Sequence, residues 1–144
     1  MRITPEIEAL IDRVLAEDLS IGDPTTEALV PSDMQGSACI VAKADGVVAG
    51  VDVALAVFRR WDPSLTTRAN VPDGSHIVAT DIVAEVDGNV ASILMAERTA
   101  LNFVQRLSGI ATQTRTFVDE VKGHGARIVD TRKTTPGLRT LEKH

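Results

Sequence analysis

The sequence predicts an α/β protein, a first domain that mixes antiparallel-looking strands with helices, followed by the opening elements of a second α/β unit. Three observations predict it. Through residues 1–107, apolar residues at helical spacing interleave with short runs of β-type alternation. From residue 109 the order becomes helix, strand, loop, helix, the start of an α/β alternation. The 144 residues are 44% hydrophobic and 24% charged, enough apolar material for a core without covalent staples and too much for a disordered chain. Cys39 is the only cysteine, so no disulfide framework is possible, and it reads as a small packed residue in a reducing compartment. No apolar run approaches the roughly 20 residues of a membrane span, and Met1-Arg2-Ile3-Thr4-Pro5-Glu6 has no signal-peptide core. A cytoplasmic protein is the expectation.

The elements follow in order. Thr4-Pro5 opens a helix with a hydroxyl cap and a proline at the first helical position, and Glu6 and Glu8 suit its positive end. Ile7, Leu10, Ile11, Val14 and Leu15 form one apolar stripe, which ends near Asp18. Asp18 to Thr26 reads as a loop from its Gly, Pro and hydroxyls. Ser37 to Ala44 reads as a strand, with Ala38, Ile40 and Ala42 on one face. After an Asp45-Gly46 turn, Val51 to Trp61 predicts a helix with Val53, Val57 and Trp61 on one face, stopped by Asp62-Pro63. Leu65–Val71 and Ile82–Val86 are strand-like, punctuated by turns at Pro72-Asp73-Gly74 and Asp87-Gly88. Ile93, Leu94, Leu101, Val104 and Leu107 predict a helix over Ala91–Leu107, broken at Ser108-Gly109, and a further helix runs from Ile110 to Val121. Ala126–Asp130 predicts a short strand, Thr131–Gly137 a loop, and Leu138–Lys143 the start of a helix. The expected domains are therefore 1–108 and 109–144.

The charge divides unevenly. Residues 1–96 carry 6 Lys or Arg and 15 Asp or Glu, net −9; residues 97–144 carry 9 and 5, net +4. A basic half can serve an anionic partner. Nucleic acid is a poor candidate, because the chain has no Tyr and 3% aromatics, too few for a stacking platform. A small anion fits better, and solvated helix faces are the plainer alternative.

The strongest local signal is a strand ending at Asp130, followed by Thr131-Arg132-Lys133-Thr134-Thr135. Parallel α/β folds gather ligands at the C-terminal ends of strands. Two adjacent cations with three hydroxyls make a candidate anion site, since Arg presents a planar fork and Lys a point charge. The alternative is a solvated basic turn. Arg98 lies mid-helix among apolar neighbours, either pairing along its own helix with Asn102 or projecting into a ligand site, in this subunit or another. Gly123-x-Gly125 precedes a strand and so is not a dinucleotide fingerprint. His76, His124 and His144 are too scattered for a metal cluster.

Three blocks carry a resemblance. Glu17-Asp18-Leu19-Ser20-Ile21-Gly22-Asp23-Pro24-Thr25-Thr26, the run from Ala96-Glu97-Arg98-Thr99-Ala100-Leu101-Asn102-Phe103 to Leu107-Ser108-Gly109-Ile110-Ala111-Thr112, and Asp130-Thr131-Arg132-Lys133-Thr134-Thr135-Pro136-Gly137-Leu138-Arg139 together resemble quinolinate phosphoribosyltransferase (nicotinate-nucleotide pyrophosphorylase, carboxylating). A molybdenum-transport-associated cousin shares part of the pattern, but the Thr-Thr-Pro-Gly-Leu-Arg form is similar to the quinolinate enzyme. The resemblance implies an N-terminal sandwich that covers the mouth of an open α/β barrel in a homodimer. It implies the conversion of quinolinate and 5-phosphoribosyl 1-diphosphate to nicotinate mononucleotide, pyrophosphate and carbon dioxide, with magnesium (Mg2+). It implies substrate-binding roles for Arg98, delivered across the dimer interface, and for Thr131, Arg132 and Lys133. It names no metal ligand and no catalytic side chain in this stretch. A whole barrel takes ~250 residues, so 144 residues are expected to hold only its start and to be inactive alone. A non-catalytic dimerising or anion-binding module is the alternative.

Overall fold

The computed structural model describes residues 1–144. Helix α1 spans Pro5–Leu19, α2 Pro24–Leu29, α3 Val51–Trp61, α4 Val90–Glu120 and α5 Arg139–Glu142. Strand β1 spans Gln35–Val41, β2 Gly46–Val47, β3 Thr66–Ala69, β4 His76–Ile77 and β5 Ile82–Asn89. β5 is the middle strand of an antiparallel sheet ordered β1-β5-β3, and β2 pairs antiparallel with β4.

Helix α1 forms as its cap predicts. The Thr4 hydroxyl accepts a hydrogen bond from the Ile7 amide at 3.4 Å, Pro5 occupies the first turn, and Ile7, Ile11 and Leu15 are buried at i, i+4, i+8. α3 is the hub of the core, buried at Val51 and from Val53 through Phe58, so it is enclosed nearly all round. One side meets Val83, Ala84 and Val86 of β5, and the other meets Ile93, Ala96, Ala100, Val104 and Leu107 of α4, in one cluster of 23 buried residues. Ala96 and Ala100 have no exposed surface, and residues this small let the two helix backbones approach closely. Ile11 shows the scale of this packing: truncating so buried an Ile to Ala costs about 2–5 kcal/mol.

Five expectations are corrected. The loop expected through Thr26 contains α2, because Asp23 caps it. Its Oδ1 accepts from the Thr26 amide at 3.1 Å, Oδ2 accepts from the Thr26 hydroxyl at 2.7 Å, and Pro24 follows in the first turn. Asp87-Gly88 is no turn but lies inside β5, opposite Ser37 and Gly36 of β1. The helix expected to break at Ser108-Gly109 runs on unbroken as α4, 31 residues long. The segment Ala126–Asp130 is not a strand. No neighbouring strand pairs with it, and Val129 is 79% exposed, so nothing satisfies an extended backbone there. Cys39 is exposed on the open face of β1 rather than packed.

The continuity of α4 has a visible cause. At the helix–strand contact, the Thr112 hydroxyl accepts from the Val47 amide at 2.9 Å and donates to the Val47 carbonyl at 3.4 Å. One turn earlier, the Ser108 hydroxyl accepts from the Ala49 amide at 3.0 Å and donates to the Ala49 carbonyl at 3.2 Å. The two hydroxyls thus stand in for a neighbouring strand along the β2 edge. That use outweighs the modest helix penalty of Ser and Gly, about 1 kcal/mol for Gly. Gly46 makes the close approach possible, since a Cβ there would lie 2.7 Å from Thr112 Oγ1. Gly50, at φ +86°, turns the chain from β2 into α3, and a Cβ there would lie 2.6 Å from Leu107 Cδ1.

Candidate anion-binding site

α4 carries Arg98, and the segment that turns back along it carries Thr131, Arg132 and Lys133. Past Leu107 its buried stripe ends, and residues 113–120 are exposed. The chain turns back through Gly123 and Gly125, runs along the helix, and finishes in α5, which plants Leu141 (4% exposed) in the core cluster. A groove of about 900 Å³ opens between α4 and this returning segment. Arg106 and Arg115 line it from α4, and Thr131, Lys133 and Lys143 from the other side. Its two carboxylates are both paired: Asp130 with Lys143 Nζ at 2.6 Å, and Glu142 with Arg106. The groove therefore carries a surplus of positive charge, suited to an anion.

The loop holds its cations outward. The Lys133 amide donates to the Thr131 hydroxyl at 3.1 Å, a local turn that orders the loop across Arg132. The Arg132 carbonyl accepts from Arg139 Nη2 at 3.4 Å, and the Thr134 hydroxyl accepts from Arg139 Nε at 3.2 Å. The side chains of Arg132 and Lys133 are exposed and form no ion pair. Lys133 and Thr131 line the groove, whereas Arg132, between them, does not.

Arg98 stands elsewhere. It lies eight residues before Arg106, about 12 Å along the helix axis, and lines no part of the groove. Its Nη1 donates to both Asp18 oxygens, at 3.1 and 3.3 Å, while the side chain stays 71% exposed. The expected intrahelical partner Asn102 is thus replaced by a carboxylate from α1. That hydrogen bond to Asp18, followed by its charge and those of Asp23 and Glu97, raises the Arg98 pKa above its ordinary value. With Nη1 so engaged, the edge formed by Nε and Nη2 points free, the geometry that grips a carboxylate two-handed. One copy of the chain does not bring Arg98 together with the 131–133 loop.

Sequence reasoning missed Arg106, Glu142, Arg139 and Lys143, which hold the loop. Glu142 is nearly buried, with its side chain 8% exposed. Hydrogen bonds from the Thr135 amide and hydroxyl and from Arg106 hold its carboxyl below the usual carboxylate range. The four-residue spacing of the basic residues Arg139, at the start of α5, and Lys143, just past its end, was the available signal. Nothing local marked Glu142, whose partners lie seven and 36 residues away.

The comparisons with known proteins agree on the family. The family model described as "Quinolinate phosphoribosyl transferase, N-terminal domain" matches residues 23–108, and that described as "Quinolinate phosphoribosyl transferase, C-terminal domain" matches residues 110–144. A Synechocystis sp. protein named "Probable nicotinate-nucleotide pyrophosphorylase [carboxylating]" is 44% identical over 138 residues, covering 96% of this chain and 46% of the relative. A Nicotiana tabacum quinolinate phosphoribosyltransferase [decarboxylating] is 43% identical over 141 residues, covering 97% and 40%. The crystal structure of NadC from Streptococcus pyogenes superposes with a TM-score of 0.94 at 38% identity, over 99% of this chain and 51% of that one. The nicotinate-nucleotide pyrophosphorylase of Francisella tularensis superposes with a TM-score of 0.91 at 34% identity, again over 99% and 51%. The chain spans about half the length of the relatives it matches. With the two family models matching residues 23–108 and 110–144 and the fold shared over 99% of its length, the chain belongs to the quinolinate phosphoribosyltransferase family.

Proposed function

We propose that this chain supplies one wall of a site that converts quinolinate and 5-phosphoribosyl 1-diphosphate to nicotinate mononucleotide, pyrophosphate and carbon dioxide. The observation that carries it is the exposed Arg132-Lys133 pair, presented by an ordered loop beside a groove with surplus positive charge. Quinolinate is a planar dicarboxylate. Arg132 grips one carboxylate with its fork, and Lys133 meets anionic oxygens whose position varies. Thr131 orders the loop through its hydroxyl. The second carboxylate is taken by Arg98 of a partner copy, because Arg98 has a free guanidinium edge and its own chain gives it no place in the groove. A homodimer in which each N-terminal domain, residues 1–108, covers the partner's 109–144 unit follows from this reading.

The residues here act by holding and orienting. Fixing both carboxylates sets the ring nitrogen at a defined place, from which it can attack the ribosyl carbon as pyrophosphate leaves. Once ribosylated, the ring nitrogen carries positive charge and stabilises the electron pair left on ring carbon 2 as the adjacent carboxylate departs as carbon dioxide; a proton from solvent then takes up that pair as the carbon–hydrogen bond of the product. Arg and Lys side chains fixed in a site balance the negative charge that develops on the departing diphosphate. No three His, Cys, Asp or Glu side chains converge here to hold a metal ion, so these residues do not fit a resident magnesium site. Magnesium belongs in this reading with the diphosphate substrate. No helix is long and apolar enough to cross a membrane, and we place the activity in the cytoplasm.

Calorimetric titration tests the reading. Quinolinate binds and nicotinate, which lacks the 2-carboxylate, binds at least tenfold more weakly, about 1.4 kcal/mol. Arg132→Met removes the difference. Equal binding of the two ligands overturns the proposal.

A further inference from the structure

We propose that Arg106 and Glu142 are positioning residues, a latch that sets the Thr131–Lys133 loop for its anion; this rests on the dicarboxylate reading above. Glu142 Oε2 accepts from the Thr135 amide at 2.9 Å. Its Oε1 accepts from Arg106 Nε at 3.0 Å and from Arg106 Nη2. The same Nη2 donates to the Thr135 hydroxyl. Thr135, just past the cations, is thereby tied at both its amide and its hydroxyl, and α4 is tied to α5 through one nearly buried carboxylate.

Neither latch residue belongs to the cation pair that meets the ligand. Arg106 spends Nε and Nη2 on Glu142 and Thr135, so it is engaged before any anion arrives. The other end of the loop is closed by the ion pair between Asp130 and Lys143, also on the α5 side. Arg132 and Lys133 therefore sit on a span clamped at residues 130 and 135. Between the clamps, the recorded ties are the Thr131–Lys133 turn and the two bonds from Arg139. An exposed loop of this kind would otherwise have to be ordered each time it binds, and a clamped one has been ordered by folding. Glu142 also gives the arrangement its charge balance: a nearly buried carboxylate without its cation is costly, so Arg106 and Glu142 hold only as a pair.

The test compares Arg106→Met, Arg106→Lys and Glu142→Gln in the 144-residue chain, with Arg60→Met as the control. Arg60 pairs with Asp12 between α3 and α1, outside the groove. Amide exchange at Thr135 without ligand reads the latch itself. Titration with quinolinate reads its consequence. Arg106→Met and Glu142→Gln are expected to speed Thr135 exchange at least tenfold. They weaken quinolinate binding roughly tenfold to a hundredfold, the scale of a misplaced binding group, with the loss in the entropy of binding. Arg106→Lys, which keeps the charge but not the fork, recovers part of both. Isosteric Glu142→Gln keeps the test available should Arg106→Met not fold. Unchanged Thr135 exchange, or faster exchange with unaltered quinolinate affinity, overturns the latch. A wild-type chain that binds no quinolinate overturns the dicarboxylate reading instead, and Thr135 exchange then decides whether the latch exists.

Discussion

Replacing Thr112 with Val tests how α4 is fixed to the rest of the molecule. The two side chains have nearly the same shape, and their helix propensities are close. The change therefore removes the hydroxyl and little else. That hydroxyl makes two hydrogen bonds to Val47, 2.9 Å from its amide and 3.4 Å from its carbonyl. A typical bond contributes about 0.5–1.5 kcal/mol net, and a stranded buried amide costs about 1–3 kcal/mol. Val47 is 5% exposed, so water reaches its amide poorly. The added methyl offsets a little of this, and the expected loss is about 2 kcal/mol. With a urea dependence near 2 kcal/mol per molar, the midpoint falls by ~1 M. The assay is equilibrium urea unfolding followed by circular dichroism. Thr116→Val is the control, because that exposed hydroxyl donates only to the Thr112 carbonyl of its own helix, at 3.2 Å. A Thr112→Val curve that overlays the wild type, or a Thr116→Val loss as large, refutes the account of why α4 stays continuous.

Three further predictions use other parts of the molecule. Gly109→Ala stabilises by about 0.8 kcal/mol in the same assay, because Gly109 is helical and open space surrounds its missing Cβ; destabilisation would show that space to be filled. Glu142 has its pKa lowered by Thr135 and Arg106, so its stabilising effect is complete above the ordinary carboxylate value of 4.5 and fades as pH falls through the lower folded value. Protection of the Thr135 amide therefore drops on acidification below about pH 4.5 in the wild type and not in Glu142→Gln, and parallel curves would contradict this. On the proposed reading the chain supplies one wall of the site, so the 144-residue chain by itself forms no nicotinate mononucleotide above background; measurable turnover would overturn that division of labour.

Much of the fold was legible where one local rule acts alone. The cap at Thr4-Pro5, the stripe through Ile7, Ile11 and Leu15, and the boundaries of α3 needed no knowledge of the rest of the chain. The errors fell where a distant partner overrides a local preference. Ser108-Gly109 carries a break signal, but its hydroxyl is taken up by Ala49, 59 residues away. Asp87-Gly88 has turn chemistry, yet β1 pairs with it across the sheet. Ala126–Asp130 has strand chemistry and no strand beside it. The candidate site divided in the same way. Arg98, Arg132 and Lys133 stand in recognisable motifs, and all three are exposed. The groups that hold them, Asp18 for Arg98 and Arg106 with Glu142 for the loop, act over 80 and 36 residues of sequence and leave no local pattern.

The central claim is that Arg98 from one copy and Arg132 from another complete a single dicarboxylate site. Mixing the Arg98→Met and Arg132→Met chains tests it directly, with quinolinate binding read by calorimetry. Each variant alone is expected to bind quinolinate at least tenfold more weakly than the wild type. In a two-fold dimer formed by random exchange, half the dimers are mixed, and each of these has one intact site, so about a quarter of the wild-type sites return. No recovery on mixing, or full binding by either variant alone, contradicts the claim.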